Sequence, residues 1–114
     1  MNKICTNINQ SKKLIELGIN INTANMLWTY DFMVNDINGL NVISEQLKPE
    51  EKDIPAWSLT ALLNVLPQST NISTPKPINA LSYCCWNQYE EIYANNPVDA
   101  CYEMILKLHE QKLL

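Results

Sequence analysis

The last nineteen residues of the chain, 96–114, carry the pattern that most restricts its fold. Asn96 can cap a helix, Pro97 suits the first helical position because it lacks an N–H, and Asp99 places a carboxylate near the positive end of the helix dipole. Apolar residues then recur at helical spacing: Val98, Cys101, Tyr102, Ile105 and Leu108. The segment predicts one amphipathic helix whose apolar stripe must be buried against other elements.

Two further helices are predicted upstream. The first runs from Thr6, a potential cap, to Gly18, because glycine readily adopts the left-handed conformation that ends helices. The second follows Ser58 as its cap and ends at Pro67. Its apolar face is formed by leucines at helical spacing: Leu59, Leu62, Leu63 and Leu66.

A first β-hairpin is predicted between these two helices. Residues 27–34 alternate, with Thr29 and Asp31 on one face and four apolar or aromatic residues on the other, Trp28, Tyr30, Phe32 and Val34, which is typical of a half-buried strand. Asn38–Gly39 is a strong turn signal because both positions of a tight hairpin turn need positive φ. A second strand, 40–43, is therefore expected to return beside the first, followed by a polar loop over 44–53.

A second hairpin is predicted from the strand-like runs 80–86 and 89–94, with Asn87–Gln88 as its turn. Residues 68–79 have the composition of an exposed, mobile loop and are expected to hold no regular element. The order of elements is then α-β-β-α-β-β-α. This predicts an α+β fold in which an antiparallel sheet of about four strands, in two hairpins, is packed on one face by three helices.

Length and charge limit the class of protein. A chain of 114 residues is expected to fold as one domain over 1–114. Its net charge of −4 disfavours direct nucleic-acid binding, which usually requires a basic surface. Because no export signal or membrane span is recognisable, we expect a cytoplasmic protein without membrane contact. The four cysteines are then expected to be free, mostly buried thiols: Cys5, Cys84, Cys85 and Cys101.

Three stretches carry a resemblance to known sequences: 11–18 (SKKLIELG), 54–67 (IPAWSLTALLNVLP) and 96–114 (NPVDACYEMILKLHEQKLL). They resemble a group of small uncharacterised proteins encoded by gut Bacteroides-type bacteria and their phages. The resemblance implies an accessory protein of a phage or mobile element. It implies no activity and no site, because none is known for that group.

The chain contains few groups suited to catalysis or cofactor binding. One of its two glycines is assigned to a helix end and the other to a hairpin turn, so a phosphate-binding loop is not expected. Cys84–Cys85, with Cys101 and His109, could supply zinc ligands or a thiol nucleophile, but adjacent strand residues point to opposite faces. We therefore predict no catalytic, cofactor-binding or metal-binding residue. A small enzyme or a ligand- or metal-binding domain using Cys84, Cys85 and His109 remains the alternative.

Aromatic residues near the second predicted hairpin indicate a binding surface instead. Helices on one side of a sheet leave the other face to water, and aromatic residues there are typical of a surface that binds a partner or a second copy. The candidate residues are Trp86, Tyr89, Glu91 and Tyr93. The sequence thus favours a non-enzymatic protein-interaction function, with an acidic inhibitor of a nucleic-acid-binding enzyme as a further alternative.

Overall fold

The computed structural model describes residues 3–73 and 83–114 and has an α+β fold. This part of the chain contains three α-helices and two three-stranded antiparallel sheets. In chain order the elements are α1 (Ile8–Glu16), β1 (Met26–Asp31), β2 (Asp36–Val42), β3 (Ile54–Ala56), α2 (Leu59–Val65), β4 (Asn71–Ser73), β5 (Tyr83–Trp86), β6 (Glu91–Ala94) and α3 (Pro97–Glu110), with one 3₁₀ turn at Ile21–Thr23. The α+β class and the three helices are confirmed.

The prediction of one sheet with about four strands differs from the structure in detail. The strands form two sheets, with the orders β2–β1–β3 and β4–β5–β6. The chain divides into two compact units, Cys5–Ser58 and Met1–Ile4 with Leu59–Leu114. The helices are divided as well, because α1 contacts β3 while α3 contacts β5 and β6. That the chain is one domain over 1–114 stays a prediction.

The extra strands, β3 and β4, are short and were not recognisable by alternation. Each has three residues, and β3 includes Pro55, which normally argues against a strand. Strand β4 lies inside the segment 68–79 that was expected to hold no element, so that expectation is wrong for 71–73. The remainder of that predicted loop, 74–79, lies outside the described residues.

Helix α1 ends as predicted but begins differently. Gly18 has φ 88° and its N–H donates to the Ile15 carbonyl, while the Ile19 N–H donates to Leu14. These two bonds form a Schellman motif, which satisfies carbonyls left free at the helix end. At the other end Asn7, not Thr6, caps the helix, since its side chain accepts from the Gln10 N–H in a capping box.

Thr6 is instead part of the core of the Cys5–Ser58 unit. It is fully buried, its Oγ1 accepts from the Trp57 N–H at 3.0 Å, and its own N–H donates to the Trp57 carbonyl at 2.9 Å. Ser11 lies 2.8 Å away, oxygen to oxygen. These bonds allow polar groups to be buried beside the apolar core residues of the unit. The largest of those are Leu14, Leu27 and Trp57.

The first hairpin turns earlier than predicted. Strand β1 ends at Asp31, residues 32–35 form the turn, and Asn38–Gly39 lies within β2. The register shifts there, so that Thr29 faces both Asn38 and Gly39 in a β-bulge. Gly39 has φ 115°. Since Asn–Gly suits bulges as well as tight turns, the sequence signal was real but was assigned to the wrong feature.

Helix α3 is capped as predicted by the Asn96 side chain, which accepts from the Asp99 N–H at 2.8 Å, with Pro97 in the first turn. The helix ends at Glu110 and not at 114. Tyr102 is only half-buried. The buried face instead includes two residues that the predicted stripe omitted, and consists of Val98, Ala100, Cys101, Met104, Ile105 and Leu108.

The second hairpin is present with a longer connection than predicted. Strands β5 and β6 pair from Tyr83↔Ala94 to Trp86↔Glu91, and residues 87–90 connect them. The Asn87 N–H donates to the Glu90 carbonyl, and its side chain accepts from the N–H groups of Tyr89 and Glu90. The first predicted residues of this hairpin, 80–82, lie outside the described residues.

Candidate functional site: the outer face of the β4–β5–β6 sheet

The strand register gives this sheet two chemically different faces. One face carries Cys85, whose thiol lies 3.9 Å from that of Cys101 on α3, so this face is covered by the helix. The opposite face, here called the outer face, follows from the pairs Asn71↔Trp86, Ser73↔Cys84, Cys84↔Tyr93 and Trp86↔Glu91. Its members are Asn71, Ser73, Cys84, Trp86, Glu91 and Tyr93. Predicted site residues Trp86, Glu91 and Tyr93 are thus brought together.

Trp86 presents much of its ring to solvent while its polar atom is already bonded. The side chain is 42% exposed, and its Nε1–H donates to the Ser73 Oγ at 2.9 Å. This bond joins β5 to β4 across the outer face and fixes the orientation of the indole. What remains available is mainly the apolar surface of the ring.

Tyr93 is held in a similar way by Glu91, its neighbour on the same strand face. Tyr93 is 61% exposed, and its hydroxyl donates to the Glu91 Oε1 at 2.9 Å. This hydrogen bond, together with one to the Cys84 thiol, raises the pKa of Tyr93 to about 12. The charge of Glu91 and the ionised phenolate would repel each other, which favours the neutral phenol. Tyr93 is therefore a neutral, oriented, exposed aromatic ring at physiological pH.

Tyr89, the fourth predicted residue, lies in the 87–90 connection and not on a strand. It is 44% exposed, and its N–H donates to the Asn87 Oδ1 at 2.8 Å. The connection places it between Trp86 and Glu91 in the chain. The hydrogen bond fixes the loop backbone at Tyr89, which is not one of the strand residues that define the outer face.

Within the described part of the chain, the residues considered for metal binding or catalysis do not form one cluster, although the thiols of Cys85 and Cys101 lie 3.9 Å apart. Cys84 and Cys85 lie on opposite faces of the sheet, as predicted, and Cys5, Cys85 and Cys101 are buried. The hydrogen bond to Cys85 and burial raise the pKa of the Cys101 thiol, so it is a neutral packing group. His109 is half-buried in the last turn of α3. Within 3–73 and 83–114, no three His, Cys, Asp or Glu side chains are grouped to hold a metal ion.

The structure also exposes apolar residues that were assigned to a strand. Phe32, Met33 and Val34 form the turn between β1 and β2 and are 66%, 91% and 56% exposed. The alternating pattern placed Phe32 and Val34 on the buried face of a longer strand. The signal that could have located the turn is the pair Asp31 and Asn35, because both residue types favour turns over strand interiors.

In comparisons with known proteins, no family model, no curated protein and no solved structure matches the chain. Among the described helices, none has the length and apolar character needed to cross a membrane.

Proposed function

We propose that the chain is a non-enzymatic protein-binding module, and that the outer face binds a different protein that presents an arginine or lysine. The observation that carries the proposal is the pair Trp86 and Tyr93, two large rings that are exposed yet oriented by hydrogen bonds within the same face. Tryptophan and tyrosine are enriched at the centres of protein interfaces. Rings that are already ordered lose little conformational entropy on binding.

The charge of the outer face favours a foreign partner over a second copy. Glu91 is the one charged member of the face, and it carries a carboxylate. Two copies meeting through this face would bring like charges together without a cation in either face. A partner arginine could pair with Glu91 and lie against the neighbouring rings of Trp86 and Tyr93.

The sequence resemblance would give this module a biological setting. As an accessory protein of a phage or mobile element in Bacteroides-type bacteria, it would act by binding a protein of the host or of the element itself. This setting is part of the proposal and contributes nothing to the assignment of the face.

The proposal is tested by comparing proteins retained by immobilised variants of the full chain in a lysate of the cells that carry its gene. We expect Trp86→Ser and Tyr93→Ser each to reduce retention of the specific partner about tenfold or more, as expected for loss of a central interface residue. Val42→Ser, which also replaces an exposed apolar residue with serine but lies in the other unit and in neither proposed surface, is the matched control and should retain the partner.

Circular dichroism spectra show whether each variant keeps its secondary structure, which we expect because both rings are exposed. The proposal is wrong if Trp86→Ser and Tyr93→Ser retain the same proteins in the same amounts as the unmodified chain. It is also wrong if no protein is retained specifically by any of them.

A further inference from the structure

The turn between β1 and β2 exposes three consecutive apolar side chains. Turns of this kind normally consist of polar residues. Phe32, Met33 and Val34, here called the hairpin tip, lie in the unit Cys5–Ser58 and not in the unit that carries the outer face. Isolated apolar residues on a surface are ordinary, but a contiguous exposed group is typical of a binding site.

The hairpin tip is held in one conformation by the residues around it. Asp31 accepts hydrogen bonds from the Met33 N–H at 2.8 Å and from the Asn38 amide at 3.1 Å through its two carboxylate oxygens. The Val34 N–H donates to the Asp31 carbonyl at 3.2 Å, and Asn35 closes the turn with φ 54°. A loop ordered in this way pays little additional entropy when it enters a complementary pocket.

Phe32 is oriented by a neighbouring ring and a cation. Its ring centre lies 4.9 Å from that of Tyr30 at an interplanar angle of 74°, which is an edge-to-face contact. The Lys52 Nζ lies 4.8 Å from the Tyr30 ring centre and 5.6 Å from that of Phe32. Most of the Phe32 ring nevertheless remains exposed and available for a partner.

The surroundings of the hairpin tip are strongly acidic. Asp31 and Asp36 flank it in the chain and are paired across the hairpin. A cleft of about 270 Å³ beside Phe32 is lined by Tyr30 and by four charged residues, Glu50, Glu51, Lys52 and Asp53. Five carboxylates therefore stand against one ammonium group, and that ammonium lies over the two aromatic rings.

This charge selects among the surfaces that an apolar tip could enter. Anionic lipid headgroups would be repelled, and a second copy would bring a second set of carboxylates to the contact. A protein surface with Lys or Arg around an apolar pocket complements both the charge and the apolar side chains. We propose that the hairpin tip is a second binding site, which inserts Phe32 and Met33 into an apolar pocket flanked by basic residues on a partner protein.

The probe for this site is a library of random disulfide-constrained peptides displayed on phage and selected on the immobilised full chain. We expect the selected peptides to combine large apolar residues with Lys or Arg. Their binding should fall about tenfold or more for the double variant Phe32→Ser/Met33→Ser, as for loss of interface anchors, and should weaken as salt is added. Val42→Ser, which replaces an exposed apolar residue at the opposite end of the β1–β2 hairpin from the tip, is the matched control and should leave this binding unchanged.

Met33→Ser alone makes the test independent of the Phe32–Tyr30 contact, because Met33 is almost fully exposed. The inference is overturned if no peptide is enriched, if the enriched peptides are acidic, or if they bind the double variant as well as the unmodified chain. Tip-dependent sedimentation with phosphatidylcholine vesicles would assign the tip to a membrane surface, and a tip-dependent dimer would assign it to a second copy. Both results would overturn the inference, while leaving the proposal for the outer face intact.

Discussion

At the residue scale, the outer face depends on side chains that satisfy one another's polar groups. Trp86 bonds to Ser73 and Tyr93 bonds to Glu91, so each ring keeps its apolar surface available while its polar atom is already paired. The alternation of strand residues could predict that Glu91 and Tyr93 share a face. It could not predict that Ser73 would be the partner of Trp86, because β4 was not recognisable in the sequence.

The Tyr93–Glu91 bond gives a titration that can be measured. The pKa of Tyr93 is raised above the ordinary value of 10 to about 12, chiefly by its hydrogen bond to Glu91. We expect Glu91→Gln to lower the pKa of Tyr93, since the amide oxygen still accepts a hydrogen bond but carries no charge to repel the phenolate. The measurement is a pH titration of the Tyr93 ring signal by NMR. An unchanged Tyr93 pKa in the Glu91→Gln protein would contradict the assignment.

The same shift fixes the sign of its contribution to stability. The folded protein holds the Tyr93 proton more tightly than the unfolded chain, whose tyrosine pKa is near 10. The stabilisation is therefore complete below about pH 10 and is lost as pH rises from 10 through about 12. In Glu91→Gln this loss should become smaller over the same range.

At the element scale, the features set by local chemistry were predictable and those set by pairing were not. The end of α1 at Gly18 and the start of α3 at Asn96 depend on how each residue satisfies neighbouring backbone groups. The residue types suited to this are visible in the sequence. The position of the first hairpin turn depends on how β1 and β2 align. Asn38–Gly39 permits either a turn or a bulge, and only the pairing of Thr29 with both residues distinguishes them.

The bulge makes a clear prediction for Gly39. Its φ of 115° is unfavourable for any residue with a Cβ, and a Cβ built there would lie 3.4 Å from the Thr29 Oγ1. We expect Gly39→Ala to lower the free energy of unfolding by about 1–2 kcal/mol, measured by urea denaturation. The matched control is Asn35→Gly, because Asn35 already has a positive φ of 54° and would lose its Cβ. That change should be neutral or slightly stabilising.

The two hairpin variants therefore have opposite expected signs within a single hairpin. An unfolding midpoint for Gly39→Ala equal to that of the unmodified protein would mean that position 39 does not keep its left-handed conformation in solution. If Asn35→Gly were instead the destabilising change, the turn would require the Asn35 side chain. The expected importance of glycine at position 39 would then be contradicted.

At the scale of the whole molecule, the charge is unevenly distributed. The chain has twelve acidic and eight basic residues, a modest net charge of −4. Five of those acidic residues, but a single lysine, lie beside the hairpin tip or in the cleft next to it. The composition could exclude a strongly basic surface, but it could not show that the acidic residues would surround exposed apolar side chains. An acidic inhibitor of a nucleic-acid-binding enzyme stays a prediction.

The proposals for the two surfaces lead to the same expectation, that the isolated protein is a monomer. The outer face contributes Glu91 and the hairpin tip is surrounded by carboxylates, so contact between like surfaces of two copies is disfavoured at neutral pH. We expect light scattering after size exclusion to give a mass near 13.1 kDa at every concentration of the untagged chain. A mass that rises with concentration would contradict this expectation. Two variants would then identify the self-associating surface. If Trp86→Ser alone restores the monomer, the copies meet through the outer face. If Met33→Ser alone restores it, they meet through the hairpin tip.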